Sequence, residues 1–167
     1  KKPKALSDTP KGVVYPFASG SAPDSSSRAP GDLTSDFYGR DRVGGLIVSA
    51  ERTPADAGRL WAATNFGRLF VSTNADGPAA AVTFTRVDTP SLPNRFVTRI
   101  VVDRANPNVA FISYSGFNAL TPSTPGHVFR AVYNPATGVA TFTSSDFDLG
   151  DIPVNTLAYD DVRGDLY

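Results

Sequence analysis

One stretch of this sequence occurs twice. "LPNRFVTRIVVD" (92–103) aligns without a gap on "LGDIPVNTLAYD" (149–160). Leu92 meets Leu149, Val97 meets Val154, Thr98 meets Asn155, Ile100 meets Leu157 and Asp103 meets Asp160, all at one constant interval. Phe84 and Phe142, and likewise Gly67 and Gly126, stand at nearly the same interval. An earlier copy opens at "GGLIVSAE", where Ser49 precedes Asp103 by a slightly shorter step. A chain that resembles itself in this way is built from stacked supersecondary units, and each unit needs its neighbours to bury its apolar face.

The units read as strands. "GLIVSA" (45–50), "RLWAAT" (59–64), "RLFVST" (68–73) and "AVTFTRV" (81–87) make one series. "FVTRIVVD" (96–103), "VAFISYS" (109–115), "HVFRAVY" (127–133) and "VATFTSS" (139–145) make the next. Between them stand turn clusters such as "ERTPADAG", "NADGPAA", "RANPN", "GFNALTPSTPG" and "NPATG". Short apolar runs separated in this way are the hairpin pattern. No 3.6 periodicity is sustained, so no helix beyond a turn or two is expected. The 14 Gly, 14 Pro, 11 Phe and 6 Tyr agree with an all-β chain.

Four strands at a period of roughly 55 predict a β-propeller blade with long loops. Residues 44–95 and 96–152 are expected to form two complete four-stranded blades. Residues 153–167 open a further blade, with Asp165-Leu166-Tyr167 aligned on Asn108-Val109-Ala110, and with Leu157 and Tyr159 on opposite faces of a paired strand. Residues 1–43 hold the end of a preceding blade, with a strand at "KGVVYPFA" (11–18), and a long Ser/Pro/Asp-rich loop. Such a ring is incomplete, so the chain is expected to be a piece. The remainder of the same protein, or a neighbouring chain, would complete it.

Composition excludes several chemistries. Sixteen basic residues balance 16 acidic ones, so no global field draws the chain to nucleic acid or to an anionic membrane. The absence of Cys excludes a disulfide scaffold, a thiolate metal site and a cysteine nucleophile. No apolar run is long enough to span a bilayer. "KKPKALSDTP" lacks the apolar core of a signal peptide, and "KKPK" reads as a solvated basic end.

"GRLWAATNFGRLFVSTNADG" and "IVVDRANPNVAFISYSGF", with "GHVFRAVY" after it, resemble propellers built from bacterial neuraminidase-type repeats. That group includes sortilin-like domains, photosystem assembly propellers and xyloglucanase-type glycoside hydrolases. The resemblance spans residues 43–167 and implies an extracellular or periplasmic protein. The group's Ser-x-Asp-x-Gly-x-x-Trp turn is matched in altered form by Ser72, Asn74, Gly77 and Phe84, and again by Ala131, Asn134, Gly138 and Phe142. A short polar side chain there caps backbone N–H groups, Gly supplies a positive φ, and an aromatic packs beneath.

The resemblance places a catalytic Asp of xyloglucanase-type enzymes where this chain has Asn65, in Thr64-Asn65-Phe66-Gly67-Arg68. The second series reads Tyr114-Ser115-Gly116-Phe117, again without a carboxylate. Glycoside hydrolysis needs paired carboxylates, which an amide does not replace. A sialidase would need an arginine clamp, for which Arg40, Arg42, Arg95 and Arg99 are candidates. It would also need a glutamate, and Glu51, the sole one, reads as part of a polar turn. His127, the sole histidine, reads as a surface or edge residue. Asp24, Asp32 and Asp36 read as solvated loop residues. Asp146, Asp148 and Asp151 are a denser acidic group that reads as the end of a strand; the alternative is calcium, which their oxygens suit, and no cofactor is otherwise expected. Trp61 and Tyr114 read as core aromatics. Phe66 and Phe117, beside glycines in loops, are the candidates for a binding surface together with Asn65 and Arg68. The expected function is a binding or scaffolding module of an exported bacterial propeller, taking a glycan or protein ligand. The alternative is part of a xyloglucanase- or sialidase-like hydrolase whose carboxylates lie in other blades.

Overall fold

A computed structural model of the protein describes residues 46–79 and 81–167. The expected strand at 11–18, and Asp24, Asp32, Asp36, Arg40 and Arg42, lie outside the described residues. Strands β1 (Ile47–Thr53), β2 (Asp56–Thr64), β3 (Leu69–Ser72) and β4 (Thr85–Arg86) form one sheet in chain order. Strands β5 (Val97–Val102), β6 (Val109–Tyr114), β7 (Val128–Asn134) and β8 (Val139–Ser144) form a second in the same way. Strands β9 (Tyr159–Asp160) and β10 (Asp165–Leu166) make a hairpin. Every pairing is antiparallel. The only helical segment among the described residues is a single 3-10 turn, Asn118–Leu120. The described residues are all-β, as their alternating apolar runs predict.

Local chemistry moves several boundaries. The expected turn at 51–58 contracts to Pro54-Ala55, because the ladder runs on to Thr53 opposite Asp56. Thr53 Oγ1 accepts the Ala55 N–H at 3.4 Å and closes the turn. Glu51 therefore lies within β1, not in a turn. The expected strand at 81–87 contracts to Thr85–Arg86. Asn74 explains this: its Nδ2 donates to Ala81 O at 2.9 Å and its Oδ1 accepts Thr83 N–H at 3.0 Å. That amide holds the segment in the turn and off the ladder. Gly77 lies in the same turn without the positive φ expected of it, whereas Gly138 has φ 69°.

The two four-stranded sheets share one irregularity. The pairing of β1 with β2 shifts between Ile47 and Ser49, opposite Thr64 and Ala63. That of β5 with β6 shifts between Val97 and Arg99, opposite Tyr114 and Ser113. The first two strands of each sheet thus superimpose with Ile47 on Val97 and Thr64 on Tyr114. By that register Ser49, opposite Ala63, stands at the place of Arg99, opposite Ser113, and not at that of Asp103. In the third strands Leu69 and Val128 correspond, facing Ala63 and Ser113. In the fourth, Arg86 and Ser144 correspond, facing Phe70 and Phe129. The interval between matching residues therefore lengthens after the second strand. The loop that follows that strand is longer in the second sheet, and this accounts for the change.

The β9–β10 turn repeats that of β5–β6. Asp160 Oδ1 accepts the N–H groups of Val162 and Arg163 at 3.0 and 3.2 Å. Asp103 Oδ1 accepts those of Ala105 and Asn106 at 2.8 and 3.1 Å. Asp160 pairs with Asp165, whereas Asp103 N–H bonds Val109 O. The later turn is one residue shorter, so Asp165-Leu166-Tyr167 stand at Val109-Ala110-Phe111 and not at 108–110. Residues two apart in a strand share a face, so opposite faces for Leu157 and Tyr159 would require a break. Leu157 in fact precedes β9 and is buried, while Tyr159 is half-buried with its ring 4.8 Å from that of Phe111.

One core joins the two sheets. Trp61, Ala63, Leu69 and Val71 of the first pack with Ile100, Val102, Ala110, Ile112, Tyr114, Phe129, Ala131 and Tyr133 of the second. Trp61 is fully buried, donates from Nε1 to Pro107 O at 3.0 Å, and meets Tyr133 edge-on at 6.2 Å. Alternation along the strands sends Ala62, Phe70 and Phe84 to the other face of the first sheet, where they form a smaller cluster.

Candidate functional site at the loop end

The β2–β3 loop (65–68) and the β6–β7 loop (115–127) meet at residues 93–95. Gly67, at φ 81°, lies so close that a Cβ there would come within 2.5 Å of Pro93 O. Arg95 is only 5% exposed. Its Nη1 donates to Gly116 O at 2.8 Å, and its Nη2 donates to Gly126 O and to Asn118 Oδ1. Burial holds the guanidinium pKa below its ordinary value, opposed by Asp151, Tyr114 and Asp146. Asn118 Oδ1 also accepts Gly126 N–H at 2.8 Å, and Asn118 N–H donates to Asp151 Oδ1 at 2.8 Å. One arginine and one asparagine thus clamp the long loop.

His127 is fully buried, which corrects the expected surface position. Its Nε2 lies 3.0 Å from Asp151 Oδ1. Hydrogen bonding from Asn118 N–H comes first among the causes that hold the Asp151 carboxyl below its usual pKa, and His127 and Arg95 add to it. Tyr114 is fully buried too, and burial followed by the nearby Asp88 pushes its hydroxyl pKa up. The phenol therefore stays neutral.

Two aspartates do matching work. Asp146 Oδ1 accepts the N–H groups of His127 and Val128 at 2.8 and 2.6 Å. Asp88 Oδ1 accepts Leu69 N–H at 3.1 Å, and Asp88 is bidentate to Arg86 at 2.8 and 2.7 Å. Their separation along the chain equals that of Phe84 and Phe142, and that shared interval was the available sequence signal.

Around this polar frame stand exposed apolar side chains. Leu46 and Phe96 immediately precede β1 and β5, Phe66, Phe117 and Leu120 lie in the two loops, and Ile152 follows Asp151. Phe66 is 48% and Phe117 55% exposed. The other two binding candidates are placed differently. Asn65 Oδ1 accepts Leu46 N–H at 2.7 Å and so ties β1 to the loop. Arg68 is buried at 5% exposure.

Arg99 pairs with Glu51 at 3.3 Å while Arg95 is buried between loops, so the two do not form a clamp. No group of three or more His, Cys, Asp or Glu among the described residues gathers as a metal site. Asp146 and Asp151 are turned to protein donors, and Asp148 is exposed, so this trio is not brought together as a calcium site. A groove of about 510 Å³ lies on the second sheet, lined mainly by apolar residues including Phe111, Val128, Leu157 and Leu166. No helix among the described residues is long and apolar enough to cross a membrane. No family model, no curated protein and no solved structure matches this chain.

Proposed function

We propose that this chain is part of an exported β-propeller with bacterial neuraminidase-type repeats, and that it works as a binding or scaffolding module through its loop end. The observation that carries the binding role is the exposure of Phe66 and Phe117 on two loops that meet at residues 93–95, the longer loop being clamped by Arg95 and Asn118. Exposed aromatics on a rigid frame stack on sugar rings or on a partner's side chains at low ordering cost. The repeat reading is supported by the one register shift that the two sheets share, by Asp88 and Asp146, and by Gly67 and Gly126, both at positive φ. A module is preferred over a hydrolase because Asn65 and Ser115 stand at the resembling catalytic places and Glu51 is engaged by Arg99.

The test compares the purified chain with a Phe66→Ser/Phe117→Ser double variant on arrays of glycans and of apolar peptides. The expected result is retention of at least one array class by the wild type, weakened by about tenfold or more in the variant. Equal binding by both proteins, or binding by neither, defeats the proposal. Release of reducing sugar from xyloglucan or of sialic acid by the chain would favour the hydrolase.

A further inference from the structure

We infer that the loop end encloses a binding site for one internal water molecule, held between Tyr114, Arg95 and His127, and that this water completes the clamp on the longer loop. Tyr114 and His127 face each other where the β6–β7 ladder ends, with Tyr114 N–H donating to His127 O at 2.7 Å. Residues directly opposed in a ladder put their side chains on the same side of the sheet. Here that side faces the joint, since Ala110, Ile112 and Tyr114 of one strand and Phe129, Ala131 and Tyr133 of the other belong to the shared core. Arg95 reaches the same spot from the segment before β5. Its Nη2 donates to O of Gly126, the residue next to His127, and its charge is felt by the Tyr114 hydroxyl.

Three polar atoms at this spot have no partner in the protein: Tyr114 Oη, Arg95 Nε and His127 Nδ1. Tyr114 and His127 are fully buried and Arg95 nearly so. Buried polar groups in folded proteins nearly always bond either protein or ordered water. A further stretch of chain lying on the outer surface does not reach atoms that are already enclosed. The partner therefore sits inside.

The chemistry of the three atoms names the occupant. Asp151 Oδ1 lies 3.0 Å from His127 Nε2. A carboxylate accepts, so in the neutral ring the proton is on Nε2 and Nδ1 presents a lone pair. Arg95 Nε–H only donates, and the Tyr114 O–H is free to donate. The spot thus offers two donors and one acceptor. A metal ion has no use for the donors, and a halide has none for the lone pair. Water serves all three: its oxygen accepts from Tyr114 and Arg95, and one of its protons goes to Nδ1. About three hydrogen bonds are the usual complement of a buried water. The network then runs from Asp151 through His127 and the water to Arg95, and on to the carbonyls of Gly116 and Gly126 at the two ends of the longer loop. That loop presents Phe117.

The wild-type protein is measured first, by oxygen-17 relaxation dispersion of the solvent and by nuclear Overhauser contacts from the Tyr114 ring. A long-lived water beside Tyr114 is expected, and its absence overturns the inference. Tyr114→Phe then removes one donor. A hydroxyl bonded to water contributes to stability, so the folding equilibrium constant should fall by about tenfold. Amide exchange across residues 115–126 should quicken. An orphaned hydroxyl is instead a burden, and its removal would leave stability unchanged or raise it. That result overturns the inference too. Should the variant fail to fold, the measurement on the wild type decides alone. Stability that climbs with chloride at constant ionic strength, without a long-lived water, would overturn the choice of occupant in favour of a halide.

Discussion

Asp88 and Asp146 accept backbone N–H groups at the start of a third strand, but their surroundings differ. Asp88 is 3% exposed and bidentate to the equally buried Arg86. Removing one partner of a buried ion pair leaves the other charge in a poor solvent. Asp88→Ala should therefore cost about 3–5 kcal/mol. Asp146 is half-buried and is held by neutral backbone N–H groups and not by a bidentate arginine. Asp146→Ala should cost about 1–2 kcal/mol. Urea unfolding of the two variants measures the difference, and equal losses would contradict it. Asp151 contributes a pH dependence. Its folded pKa lies below its ordinary value, so its contribution is present above about pH 4 and fades as pH falls through the lower folded value. Asp151→Asn should flatten the stability profile in that acid window and leave its slope near neutrality unchanged. Acid titration at low and high salt is the check, since the carboxylate is exposed and screening weakens its charge interactions.

At the scale of elements, turns decide where strands stop. Gly67 and Gly150 both have positive φ, 81° and 69°. A Cβ at Gly67 would press on Pro93 O at 2.5 Å, whereas one at Gly150 would meet nothing within 4 Å. Gly150→Ala should therefore cost only the left-handed backbone penalty, about 1–2 kcal/mol. Gly67→Ala adds a backbone clash and should cost more, with the loss read from thermal unfolding. A smaller effect at Gly67 than at Gly150 would refute the close approach. The same physics explains which elements could be read in advance. Strands β2, β3, β5 to β8 follow from runs of apolar residues between turn formers, because burial on a pleated face requires that pattern. β4 could not be sized, because the Asn74 side chain claims backbone groups of Ala81 and Thr83 that the ladder would otherwise use. The one-residue slip at β10 has a similar origin: Asp103 and Asp160 make the same turn, and only the pairing beyond it shows the missing residue.

For the molecule as a whole, the joint between the two sheets matters most. Trp61→Ala removes the largest buried side chain at that joint, its edge-on contact with Tyr133 and its bond to Pro107 O. A loss of about 3–5 kcal/mol is expected. Both sheets should still melt together, since Ala63, Leu69 and Val71 remain in the shared core. Two resolved transitions by calorimetry would show that the sheets are independent. The loop-end surface was legible in part. Phe66 and Phe117 sit beside glycines in turn-forming stretches, and such residues rarely reach a core. His127 was not legible, because its burial depends on Asp146 and Asp151, which arrive from 19 and 24 positions away. A further consequence follows from the sequence having a single tryptophan, placed where the two sheets meet. Its indole is a built-in optical gauge. Any parting of the sheets admits water to that ring, so a red shift in emission would time the opening of this one joint, with no second tryptophan to blur the signal.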